Sequence, residues 1–64
     1  MTNAELRALP VGTIIRCDGD DDIGEIIRTG PVVEIMWPNQ ECSSYIDTDS
    51  ENWQWLVSNF EVVE

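Results

Sequence analysis

Apolar positions fall in short runs along the chain rather than in one long amphipathic repeat. The opening "TNAELRAL" sets Thr2 and Glu5 at Ser/Thr-x-x-Glu spacing. That spacing is the mark of a capping box and predicts a one- or two-turn helix, stopped by Pro10 and Gly12. The β-branched run "TIIRC" predicts a first strand, and Asp18-Gly19 a turn after it. "IGEIIR" predicts a second strand that ends at Thr29-Gly30-Pro31. "VVEIMW" alternates, so an outward Glu34 requires Val33, Ile35 and Trp37 to face inward. After the turn residues Pro38-Asn39 comes a fourth, more polar strand, "SSYID". In "SENWQWLVS", Ser50 between Asp49 and Glu51 predicts the start of one helical or 3₁₀ turn. "FEVVE" is the fifth strand, with Phe60 and Val62 on one side of Glu61.

Five short strands separated by turns, with a helical turn before the last, predict a small all-β domain rather than a βαβ unit. No internal repeat or low-complexity linker divides the sequence, so residues 1–64 are read as one domain. The succession "LPVGTIIR … IGEII … VEIMW … YID … WLVSNFEVV" resembles a small SH3-like barrel of the KOW type, of the sort found in many uncharacterised small bacteriophage-encoded proteins. The "VGT" entry into strand one, the "GEI" of strand two, "VEIMW" and the short turn before "FEVV" carry the likeness. The resemblance implies a five-stranded SH3-like barrel with a short N-terminal helix and a helical turn before the last strand. It transfers no functional residue. An RNA-binding KOW-type module is expected to be basic, and the "ALYDY" stretch of peptide-binding SH3 domains is absent here.

Charge changes the functional picture more than any motif. Thirteen acids stand against three bases, for a formal net charge of −10, and there is no histidine. The bases are Arg7, Arg16 and Arg28, while acids continue through the remainder of the chain. Direct nucleic-acid binding is disfavoured, because that affinity comes from neutralising phosphates with Lys and Arg. A partner protein with a basic surface would instead be steered towards this chain. No apolar run approaches the ~20 residues of a membrane span, and the first residues lack a leader's basic and apolar regions. Cys17 and Cys42 are read as thiols in a reducing compartment, so the expected location is cytoplasmic.

Two acidic segments attract attention. In "CDGDDDIGE", Asp18, Asp20 and Asp22 occupy the first, third and fifth places of a calcium-loop pattern, with Asp21 and Glu25 beside them. An EF-hand loop requires Gly at place six and Glu at twelve, whereas Ile23 and Thr29 stand there. In the second, Asp47, Asp49 and Glu51 fail in the same way, with Asn52 and Ser58 at those places. Neither segment is read as a metal site, no cofactor is implied, and the first is read as a charged strand connection.

A chain this short buries only about 60% of the surface it exposes when unfolded, which leaves little room for a desolvated cleft. Without histidine, neither cysteine has the usual base to activate it. The chain is therefore read as a non-enzymatic interaction module. Trp53 and Trp55 lie two apart in a polar segment, and a helical turn does not point both at the core. One reading has one ring closing the bottom of the barrel and the other lying on the surface. The other joins Trp53 and Trp55 with Tyr45, Asp47, Asp49 and Glu51 in an aromatic, acidic patch suited to Arg or Lys through cation–π contact and charge pairing. Alternatives of the same fold are a nucleic-acid-mimicking inhibitor of a host DNA- or RNA-binding protein, and an accessory assembly protein whose sheet edge pairs with a neighbour or with itself.

Overall fold

The computed structural model describes residues 1–17, 22–38 and 41–63. Helix α1 spans Asn3–Ala8 and begins with the capping box expected from the sequence. Glu5 N–H donates to Thr2 Oγ1 at 3.1 Å, and Thr2 N–H donates to Glu5 Oε1 at 3.0 Å. Leu9 ends the helix in an extended conformation, φ −75° and ψ 137°. That is the region left open to a residue followed by proline. Leu6 is the buried residue of α1.

The strands are β1 (Ile14–Cys17), β2 (Asp22–Arg28), β3 (Val32–Trp37), β4 (Cys42–Asp47) and β5 (Phe60–Val62). A 3₁₀ turn, Glu51–Trp53, runs into a short helix α2, Gln54–Val57. All pairings are antiparallel, and the strand order in the single sheet is β4-β3-β2-β1-β5. The strand assignments from the sequence hold, including the polar fourth strand and the turn that starts at Ser50. Ser50 Oγ accepts from Asn52 N–H at 3.2 Å. The register between β2 and β3 shifts between Ile26 and Arg28, which leaves Ile27 without a direct opposite.

The expected barrel is not closed. Closure would require β4 to pair with β5, and among the described residues these two strands are the edges of the sheet. The physical reason lies in what covers the inner face. β5 is only three residues long and is committed to β1, while Leu6 of α1 and Val57 of α2 enter the same core as the inward strand residues. Helical turns thus bury the sheet where a barrel would bury itself.

Alternation sets that core. Ile15, Ile26, Val33, Ile35, Ile46, Trp37 and Phe60 point inward from all five strands and are buried with Leu6 and Val57. Each fully buried aliphatic side chain contributes about 1.5–3 kcal/mol relative to exposure. Trp37 packs tilted against Phe60, with ring centroids 5.9 Å apart, and its indole N–H donates to Ser44 Oγ at 3.0 Å. Gly24 lies beneath that indole. A Cβ there would sit 2.7 Å from Ile35 Cγ2 and 2.8 Å from Trp37 Cε3, so the ring reaches the sheet only because position 24 has no side chain.

Candidate binding surface

β4 presents Ile46 to the core and, by the period-two alternation of a strand, Tyr45 and Asp47 to the opposite, outer face. Tyr45 is 58% exposed. After β4 the chain turns sharply. The Thr48 hydroxyl donates to the Pro31 carbonyl at 2.7 Å and accepts from Arg7 Nε at 2.8 Å. Asp47 Oδ1 accepts from Asp49 N–H at 3.0 Å, the local bond by which aspartate builds turns. Asp49 also pairs with Arg7. Both aspartates of the expected patch therefore hold the turn in place as well as carrying charge.

The segment that follows is pinned by Gln54 and Val57. Gln54 Oε1 accepts from Asn3 N–H at 3.1 Å, its Nε2 donates to the Met1 carbonyl at 3.3 Å, and Val57 is buried. With 54 and 57 directed inward, Trp53 and Trp55 are left at the surface, 39% and 67% exposed. Neither ring enters the core, so the reading in which one of them closes the bottom of the barrel is corrected. Val57, assisted by the partly buried Leu56, fills that place. Glu51 is exposed beside them in the 3₁₀ turn.

The six residues singled out in the sequence thus form two groups. Tyr45 and Asp47 stand on the outer face of the sheet, while Glu51, Trp53 and Trp55 belong to the helical segment that covers the inner face, with Asp49 between them in the turn. Of the first acidic segment, Asp18, Asp20 and Asp21 lie outside the described residues. Asp22 opens β2 opposite Cys17, and Glu25, three residues along, points to the other side of the strand and is exposed. Cys17 and Cys42 form no disulfide with each other. Among the described residues no three metal-ligating side chains converge, and no helix is long and apolar enough to cross a membrane.

Residues not singled out in the sequence complete the outer face. Register places Glu34 opposite Tyr45, Val32 opposite Asp47 and Glu25 opposite Met36. Val32 and Met36 are exposed. The signal was the same alternation that buries Val33, Ile35 and Trp37, since the positions alternating with them, Val32, Glu34 and Met36, hold two apolar residues and one acid.

Each arginine is engaged by an acid: Arg7 with Asp49, Arg16 with Glu61, and Arg28 Nε at 3.8 Å from Glu34 Oε1. Such exposed pairs add little stability, about 0–1 kcal/mol each, but they leave no arginine of this chain uncommitted. The Glu5 carboxyl lies below its ordinary value, chiefly because it accepts the Thr2 backbone N–H and also because of the Thr2 hydroxyl. No protein-family model, no curated protein and no solved structure matches this chain.

Proposed function

We propose that this protein is a non-enzymatic acidic interaction module that docks a basic surface of a partner protein. The observation that carries the reading is the disposition of charge: each arginine is paired with an acid within the molecule, so the net charge of −10 is carried by acids without an arginine partner. Trp53 and Trp55, exposed beside Glu51, supply aromatic faces of the kind that attract Arg and Lys. Kinship with the SH3-like small barrels and a bacteriophage setting rest on the resemblance of the sequence. Partner recognition in the cytoplasm follows from the same reading.

Mimicry of nucleic acid is a second form of this reading. It is favoured by one observation, that Glu25, Glu34 and Asp47 come from three adjacent strands and share one face. Carboxylates arrayed on a face are what a phosphate-binding site would accept.

The test is capture of proteins from host-cell lysate on the immobilised chain, in parallel with a Trp53→Ala, Trp55→Ala double variant. Both tryptophans are outside the core, so the variant is expected to remain folded. The expected result is a basic protein retained by the parent at low salt and retained substantially less by the variant. Equal retention by a folded variant removes the tryptophans from the contact set.

A further inference from the structure

The outer face of the sheet has a composition that the fold does not require. An exposed face between antiparallel strands ordinarily gains stability from opposite-charge or apolar–apolar cross-strand pairs. Here, on the β2-β3-β4 half of the sheet, three exposed apolar residues are set directly opposite carboxylates: Met36 opposite Glu25, Tyr45 opposite Glu34, and Val32 opposite Asp47, while the exposed Ile23 stands opposite Arg16 and Ile27 lies at the register shift. Those pairs contribute little to the chain's own stability. The helices and the nine-residue core lie on the other side, so among the described residues nothing covers the face. We infer that this face is a docking surface for a basic, amphipathic segment of another protein, whose apolar side chains seat on Val32, Met36 and Tyr45 and whose Lys or Arg side chains reach Glu25, Glu34 and Asp47.

Charge selects this occupant over the others. A second copy would bring the same three carboxylates against themselves between two bodies of net charge −10, and like-charge juxtaposition opposes association. Nucleic acid and anionic lipid surfaces are repelled on the same ground. A purely apolar segment would leave the carboxylates desolvated without partners. A segment that is both apolar and cationic answers the three apolar–carboxylate pairs. Glu34 is held in place, accepting from Ser43 Oγ at 3.1 Å with Arg28 at 3.8 Å, so at its 13% exposed edge an incoming cation shares the carboxylate with Arg28. Glu25 and Asp47 are exposed on either side of it.

This inference rests on the reading of the chain as a binder of basic partners, and it adds where the partner sits. The test uses the ¹⁵N-labelled chain titrated with three synthetic peptides: an amphipathic Lys/Leu peptide, an oligolysine of equal charge, and a Ser/Leu peptide of the same apolar pattern without charge. Expected are amide shifts centred on Val32, Met36 and Tyr45 with the Lys/Leu peptide, and affinity at least about tenfold weaker for each of the other two. A Met36→Ser, Tyr45→Ser variant, altered only at exposed positions, is expected to weaken Lys/Leu binding by about tenfold. The shift map of the parent chain stands even if that variant fails to fold.

Shifts centred instead on Trp53 and Trp55, or equal binding of oligolysine, would overturn the inference while leaving the basic-partner reading intact. Equally tight binding of the uncharged peptide, or concentration-dependent self-association through the face, would overturn the assigned occupant. Absence of binding by either cationic peptide would overturn the inference and count against the parent reading as well.

Discussion

Gly24 and Thr48 are two single residues on which the packing turns. The Trp37 indole lies against the backbone of Gly24, is tethered by Ser44 and tilts on Phe60, so it has little freedom to yield to a new methyl. Gly24→Ala is expected to cost about 1–3 kcal/mol by overpacking, read as a lower urea midpoint by tryptophan fluorescence; an unchanged midpoint would show that the ring moves freely. Thr48 is buried and its hydroxyl both donates to Pro31 and accepts from Arg7. Thr48→Val keeps the shape, removes both bonds and is expected to cost about 1–3 kcal/mol in the same measurement. Residue-level legibility in the sequence was uneven for a physical reason. The inward set Val33, Ile35 and Trp37 follows from alternation within one strand. The need for glycine at 24 depends on which residue of β3 arrives opposite it, and the outward placement of Trp53 and Trp55 depends on Gln54 meeting Asn3 from the far end of the chain.

At the scale of elements, α1 shows how much a short helix depends on its ends. Six residues are far fewer than an isolated helix needs in water, so its capping box and the burial of Leu6 must hold it. Because the Glu5 carboxyl is lowered below its ordinary value, its contribution is fully present above that value and is lost as pH falls through the lowered one. Glu5→Gln is therefore expected to lower Tm at neutral pH, with the difference from the parent vanishing once the medium is acid enough to protonate Glu5. A difference that persists in strong acid would assign the effect to something other than the ionised cap. The helix, the five strands and the turn at Ser50 were all legible, since each has a local cap, turn or alternation. The register shift at Ile27 and the unpaired edges of β4 and β5 were not, since both are set by partners distant in sequence.

The whole molecule is compact, with a radius of gyration of 10.4 Å, close to the ~11 Å expected for a domain of this length. Its surface combines a strong acidic excess with exposed aromatic or apolar residues that include Trp53 and Trp55 on the helical segment and Val32, Met36 and Tyr45 on the outer sheet. The sequence indicated the charge and the tryptophans but joined Tyr45 and Asp47 to them. Only the topology separates the two groups, by placing the sheet between them. Net charge speaks to association rather than to fold, so the functional claim stands or falls on how binding responds to screening. The most direct measurement is calorimetric titration of the chain with the partner retained from lysate, repeated across ionic strength. Affinity falling by tenfold or more between about 0.05 and 0.5 M salt, as the Debye length contracts from roughly 14 to 4 Å, is the expected result. Affinity that is indifferent to salt, or that strengthens with it, would contradict charge-driven docking and point to an apolar assembly contact instead.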